Sequence, residues 1–258
     1  GVTLTLNPTS TSAATIEASH DTTVAESAMQ AIVDNLNKLQ SELTSLTKRA
    51  TGNGEDGPLA GDALLRSLQN RLRSYTTTPI NGFGANAVYL ADFGVTTAQD
   101  GSISLDSNKF KTAYEANPDS FAAITNSRIT SSSAIVSPSA VGQTPKAGSY
   151  QFDIAADLTA TLDGTAMTAS GSVYSIATGD AAGLNLTISG SGADATIYVG
   201  KSLIESLSDF ASDVLALNSD LNTKIQRYND DLTSYDEELT DLDSRIESIR
   251  ERYVTRFA

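Results

Sequence analysis

The chain has 258 residues, 40% of them hydrophobic, and its 31 acidic and 17 basic residues leave a formal net charge of −14. This is enough chain and apolar material for one large domain or two ordinary ones, while the acidity argues against nucleic acid and anionic membrane as main partners. No cysteine occurs, which excludes disulfides, thiolate metal sites and a cysteine nucleophile, and no apolar run approaches the ~18–20 residues of a membrane span.

Val2, Leu4 and Leu6 alternate with Thr3 and Thr5, a period-two strand, and Ala14 to Ala18 can form a second. Asp21 or Thr22 reads as the cap of a helix whose seam is Ala25, Ala28, Ile32, Leu36, Leu39, Leu43 and Leu46, with Lys48 and Arg49 in its last turn to suit the helix dipole. Residues 51–60 read as a glycine-rich loop. Asp62 then caps a second helix with the seam Leu65, Leu68, Leu72 and Tyr75. Arg66, Arg71 and Arg73 on that helix read as a solvated face pairing with acidic neighbours rather than as a patch for an acidic partner. Leu90 to Val95 reads as a helix end running into a strand, and Asp100-Gly101 as the turn of a hairpin between 95–97 and 103–105. Asp106 or Ser107 caps a short helix through Phe110, Ala113 and Tyr114. Asn117-Pro118-Asp119 breaks it and starts another turn at 120–124.

From Arg128 the character changes. Residues 129–148 are rich in Ser, Thr and Pro and read as linker, whereas 149–200 carry short alternating strands between glycine-rich turns: Tyr150, Phe152, Ile154; Leu158, Ala160, Leu162; Val173, Ile176; Leu184, Leu186, Ile188; Ile197, Val199. That is the pattern of a small antiparallel sandwich or open sheet. The last segment, 202–257, has apolar residues at alternating three and four steps with polar residues between, which predicts one long helix with a narrow seam. Its step from Leu217 through Leu221 and Ile225 to Tyr228 is a stutter that unwinds any supercoil locally. Helices over 22–48, 62–75 and 202–257 are expected to bury each other's stripes in a bundle that the longest overhangs, so that a charge at Leu232 or Leu239 should loosen it. Gly1 opens directly on a strand and Ala258 ends with the helical pattern unfinished, so the chain reads as a fragment lacking both termini. The fold class expected is α+β, a helical body over 20–128 and 201–258 interrupted by an antiparallel β-sandwich-like domain over 129–200 that the strands of 1–19 join.

No constellation for catalysis stands out. His20 is the only histidine, and a metal site or general base needs partners that its sequence neighbours do not offer. Gly52-Asn53-Gly54, Gly82-Phe83-Gly84 and Gly190-Ser191-Gly192 lack the context of a phosphate loop. The acidic run Asp236-Glu237-Glu238, with Asp241 and Asp243, lacks the turn and spacing of a calcium loop and reads as a solvated helix face. No GxSxG elbow occurs. The chain is expected not to be an enzyme, with no catalytic, cofactor or metal residues. Partner-binding residues are not assigned by the sequence.

Several segments in order resemble one family, the bacterial flagellar filament-capping proteins, FliD or flagellar hook-associated protein 2. Gly1 to Leu6 looks like that family's opening "GvTltL" strand. Asp21-Thr22-Thr23 followed by Ile32 to Leu39 is similar to its "D-t…fVkaYNtL" helix, with Leu36 where the family often has Tyr. Pro58 to Arg66 resembles "gpLxGDxxLR", Leu90 to Val95 with Asp100 to Asp106 looks like "LadiGi…dG.L.lD", Asn117 to Phe121 like "nPd.v..lF", and Arg252 to Phe257 like "RY..qF". Residues 129–200 match less clearly and read as a β insertion. The resemblance implies a helical leg domain standing on the filament tip and a β-rich head domain in a plate above it. It implies that several copies form a ring-shaped homo-oligomer that retains exported flagellin and promotes its folding and insertion during elongation. It implies flagellin and the chain itself as partners, no cofactor, no membrane insertion, and an extracellular place at the flagellum tip after export by the flagellar secretion apparatus. The alternatives are another flagellar junction or filament protein, disfavoured by the "GDxxLR" and "dG.L.lD" segments, and a surface adhesin. In the adhesin, Tyr150, Phe152, Tyr174 and Tyr198 would stack sugars, two of them being expected to face inward.

Overall fold

The computed structural model describes residues 21–50, 52, 54–190, 192, 194–216 and 219–257; the expected strands of 1–19 and His20 lie outside the described residues. Helix α1 runs Thr23–Thr47. Asp21 Oδ1 accepts from Thr23 N at 2.9 Å, and Thr22 makes no side-chain cap. The fully buried face of its first half is Ala25, Met29, Val33 and Leu36, so Ala28 is displaced from the expected seam and exposed, while Ile32 is half-buried against the same core. The reason is what the helix packs on. Its first half faces an aromatic cluster rather than a parallel helix. The helix ends before Lys48, whose backbone is extended, so the basic pair lies beyond the last turn. Instead the loop satisfies the terminal carbonyls, with Leu59 N bonded to Leu46 O at 2.9 Å and Gly57 N to Lys48 O at 2.8 Å.

Helix α2, Ala63–Thr77, is capped by Asp62. A 3₁₀ turn at Leu90–Phe93 ends on left-handed Gly94 and leads into the hairpin of β1, Val95–Thr97, and β2, Ile103–Leu105. Asp106 caps helix α3, Ser107–Ala116. Pro118 opens a 3₁₀ turn to Phe121 that continues into α4, Ala122–Thr125. The core here joins Met29, Leu36 and Leu72 to Phe93, Phe110, Phe121 and Leu203. Phe93, Phe110 and Phe121 meet edge-to-face or tilted at centroid distances of 5.6–6.2 Å.

The segment expected as linker forms two strands, β3, Arg128–Ser131, and β4, Val136–Ala140. Each is an edge strand. β3 pairs only with β11, Ala195–Gly200, and β4 only with β10, Leu184–Ile188. An edge tolerates Ser, Thr and even Pro138, set opposite Leu186, which is why the composition hid them. β5, Gly148–Ile154, β6, Ala160–Leu162, and β7, Thr165–Ala166, complete a five-stranded sheet in the order β3-β11-β5-β6-β7. β8, Thr168–Ser170, and β9, Val173–Ser175, complete a four-stranded one, β4-β10-β9-β8. All pairings are antiparallel, and both sheets contribute to one core in which Phe152 meets Tyr174 at 6.0 Å. Leu158 is not a strand residue; it sits in a turn at φ +67° and is exposed.

The two cores are separate. One draws on residues 129–199, the other on 25–124 with Leu203 and Leu207. They join where the 82–83 loop meets the end of β11. Arg128 stacks 5.7 Å from the Phe83 ring centroid, and Ser127 Oγ accepts from Ser202 N at 2.8 Å while donating to the Glu205 carboxylate.

The long C-terminal helix is a correction. It is two helices, α5, Leu203–Leu215, and α6, Asp220–Phe257. Asn222 Nδ2 donates to Leu215 O at 3.2 Å and Ala216 O at 2.7 Å, closing α5, and Ser219 Oγ accepts from Asn222 N at 3.2 Å, opening α6. The stutter marks the same place, although Leu217 itself is outside the described residues.

Candidate partner interface

α5 and then the start of α6 run antiparallel along α2, as successive contacts establish. Tyr75 meets Phe210 at 5.7 Å, Arg71 stacks on Phe210 at 4.8 Å and reaches Asp213 at 3.9 Å, and Asp62 holds Lys224. Arg71 therefore pairs with an acidic neighbour, as the sequence suggested. Arg66 turns back on its own helix start, donating to Gly61 O at 2.9 Å.

α1, α2 and α5 leave an apolar groove of about 470 Å³ between them, lined by Ile32, Leu39 and Leu43, by Leu68, by Leu207, Val214 and Leu215, and closed by Leu221 at the start of α6. The expected bundle exists only around this groove and over the first turn of α6. Past Lys224 the helix leaves the body, and every residue from Ile225 to Phe257 is exposed. Leu232, Leu239, Ile246 and Tyr253 are 53–63% exposed. Among the described residues Leu232 and Leu239 are thus mostly exposed, and the bundle-loosening expectation at those positions is overturned there.

The root of this helix is fixed electrostatically. Asp62 Oδ1 accepts from Leu64 N at 2.9 Å and Leu65 N at 3.3 Å, while Oδ2 accepts from Lys224 Nζ. The Asp62 side chain is only 6% exposed. The Lys224 hydrogen bond lowers its carboxyl below the ordinary value, against the opposing effect of burial and with help from the two backbone N–H groups. The same hydrogen bond raises Lys224.

Elsewhere the residues weighed for chemistry are dispersed. Asp236, Glu237, Glu238, Asp241 and Asp243 line the exposed surface of α6, and no group of His, Asp and Glu among the described residues could hold a metal. Among the same residues no helix is long and apolar enough to cross a membrane. Of the tyrosines and phenylalanine considered for sugar stacking, Tyr150, Phe152 and Tyr174 are all buried in the sandwich and only Tyr198 is half-exposed, one more inside than expected. Sequence reasoning missed Asn37, whose side chain donates to Ile103 O at 2.7 Å and accepts from Ile103 N at 2.8 Å. It acts as a one-residue partner for β2. It also missed Lys224 as the tether of α6.

Among the described residues, fold and surface define an α+β protein with two cores and a projecting helix whose apolar seam is exposed. The family model described as "Flagellar hook-associated protein 2 C-terminus" matches residues 1–258, and the chain belongs to that family. The flagellar hook-associated protein 2 of Aeromonas caviae is 29% identical over 114 residues, 42% of this chain and 24% of the relative. That of Vibrio cholerae serotype O1 is 36% identical over 53 residues, 20% of this chain and 8% of the relative. The matched part of this chain is therefore at most about a quarter of these relatives' length. The crystal structure of the D1-D2-D3 domains of the Escherichia coli flagellar cap protein FliD is 28% identical and covers 41% of this chain and 28% of that chain, with a TM-score of 0.35.

Proposed function

We propose that this chain is the leg-and-head part of a flagellar filament cap, which closes the filament tip, retains exported flagellin and promotes its folding and insertion. The observation that carries the reading is the family match over residues 1–258. In this reading the leg comprises 20–128 and 201–258 and the head 1–19 and 129–200; the two separate hydrophobic cores, one over 25–124 with Leu203 and Leu207 and one over 129–199, support the division for those residues. The partners are flagellin and further copies in a ring, and the place of action is outside the cell at the filament tip. The role rests on binding and rearrangement, not covalent chemistry. Its demands are a rigid head, a leg that projects, and apolar surface to trade between neighbours, and α6 with the groove at its root supplies the last two.

Deleting the gene in the source bacterium tests this. The expected result is unpolymerised flagellin in the medium with filaments absent or stunted, reversed by the intact gene. Full-length filaments with no leakage would overturn the reading.

A further inference from the structure

Helix α5 opens with the sequence of a capping box, Ser202-Leu203-Ile204-Glu205, in which the N-cap hydroxyl accepts from the N3 amide and the N3 carboxylate from the N-cap amide. Its first half is in place, with Glu205 N donating to Ser202 Oγ at 3.2 Å. Its second half is occupied by a third residue. Ser202 N donates instead to Ser127 Oγ at 2.8 Å, and Ser127 Oγ donates to the Glu205 carboxylate. Ser127 stands at the neck of the β-sandwich. The chain enters through Asn126 and Ser127, between α4 and β3, and leaves through Lys201 and Ser202, between β11 and α5. The leaving strand is fixed to α5 by the Ser202 cap and by Lys201, which pairs with Asp209. The entering strand is tied to α5 through the Ser127 hydroxyl.

We infer that this box is a two-position latch for the β-sandwich of 128–200. In the position seen, Ser127 Oγ is inserted and holds the sandwich against the helical body. In the other, the sandwich swings about its neck, Ser127 withdraws, and Glu205 takes the Ser202 N–H directly, closing the ordinary box. No buried donor is abandoned on the way. Ser202, only 2% exposed, keeps a partner for its N–H in both positions, and the hydroxyl of the exposed Ser127 passes to water. Two satisfied arrangements of the same residues leave a small gap between them, the requirement for a switch. The rest of the seat is packing. The Phe83 ring lies against Gly200, Arg128 stacks on that ring, and among the described residues no ion pair joins 128–200 to the body. Arg128 Nε is buried there without a hydrogen-bond partner, a cost of the latched position that swinging away relieves. The inference does not rest on the cap reading.

The intact 258-residue chain serves for the test. Because it has no cysteine, spin labels can be placed at Ser41→Cys on α1 and Ser170→Cys on β8, both exposed, and the distance between them read by pulsed electron paramagnetic resonance. Ser127→Ala is expected to raise the ratio of a second distance to the first about tenfold, the worth of one hydrogen bond to a charged group. Ser127→Thr, which keeps the hydroxyl, should hold the wild-type ratio. Hydrogen exchange at the Ser202 amide supplies the other half. It should stay protected in Ser127→Ala, where Glu205 takes over, and lose protection in S127A/E205A, where neither acceptor remains. Ser127 is exposed, so its replacement leaves the fold intact. An unchanged distance distribution in Ser127→Ala, a featureless broadening without a second distance, or loss of Ser202 protection in that single variant would each overturn the inference.

Discussion

Asp62 serves two helices with one carboxylate: Oδ1 caps α2 and Oδ2 holds Lys224 at the root of α6. Asn caps helices about as well as Asp, so Asp62→Asn removes the ion pair while keeping the cap, and Asp62→Ala removes both. Asp62→Asn is expected to cost about 1–2 kcal/mol, since one ionised hydrogen bond is lost while the backbone N–H groups remain, and Lys224→Met to destabilise in the same direction. Asp62→Ala is expected to cost about 1 kcal/mol more. Urea unfolding followed by circular dichroism measures all three. Equal losses for Asp62→Asn and Asp62→Ala would mean that the cap contributes nothing.

The same carboxylate gives a pH dependence of known sign. Its folded value lies below the unfolded one of about 3.9. The stability it contributes is therefore fully present above the unfolded value and is lost as pH falls through the lower folded value. The stability difference between the wild type and Asp62→Asn should be constant from pH 7 to about 5 and shrink below about pH 4. Urea titrations across that range decide it, and a difference that persists to pH 2 would detach the stabilisation from ionisation of Asp62.

Gly82 and Gly200 bring two backbones together where the two cores join. A Cβ on Gly82, held at φ +82°, would overlap Val199 O, and one on Gly200 would lie 2.6 Å from Phe83 Cε2 and 2.8 Å from Gly82 O. Gly164 has a similar φ of +74° but open space around it, so Gly164→Ala meets only the left-handed penalty of about 1–2 kcal/mol. Gly82→Ala is expected to cost distinctly more, read as a larger fall in melting temperature. Equal falls would show that the close approach is relieved by a small shift of the loop.

Leu239 tests what the projecting helix is. It is 59% exposed, whereas Leu72 is 1% exposed. In dilute solution Leu239→Lys should change stability by no more than about 0.5 kcal/mol, and Leu72→Ala should cost about 2–5 kcal/mol. A large loss of stability in the dilute chain would place this seam inside the monomer.

What the sequence made legible was local. Caps at Asp62 and Asp106, the hairpin around Asp100-Gly101, the break at Pro118 and the alternation of β5 and β10 each depend on residues within a few positions of one another. What it hid was decided at a distance. Whether Ala28 or Met29 faces inward depends on what α1 packs against. Edge strands β3 and β4 have too few apolar residues to declare themselves, and their pairing partners lie 44 to 72 positions later in the chain. The seam of α6 was plain from spacing, but spacing does not tell a covered stripe from an uncovered one.

Asn37 is the sharpest case of such a distant role. It sits in the segment that resembles the family's "YNtL", and its amide replaces a neighbouring strand for Ile103. Asn37→Leu keeps the helix and the approximate volume but strips both partners from the Ile103 backbone, whose residue is only 5% exposed. Unpaired buried backbone groups cost about 1–3 kcal/mol each, so the variant should lose at least about 1 kcal/mol. The Ile103 amide should also exchange with deuterium faster, ahead of the helical amides of α1. Asn37→Asp can still accept from Ile103 N but turns an oxygen toward Ile103 O, so it should recover only part of the protection, and more of it below pH 4, where a protonated carboxyl can donate. Unchanged exchange at Ile103 in Asn37→Leu would mean that the hairpin holds its place through β1 and the core alone.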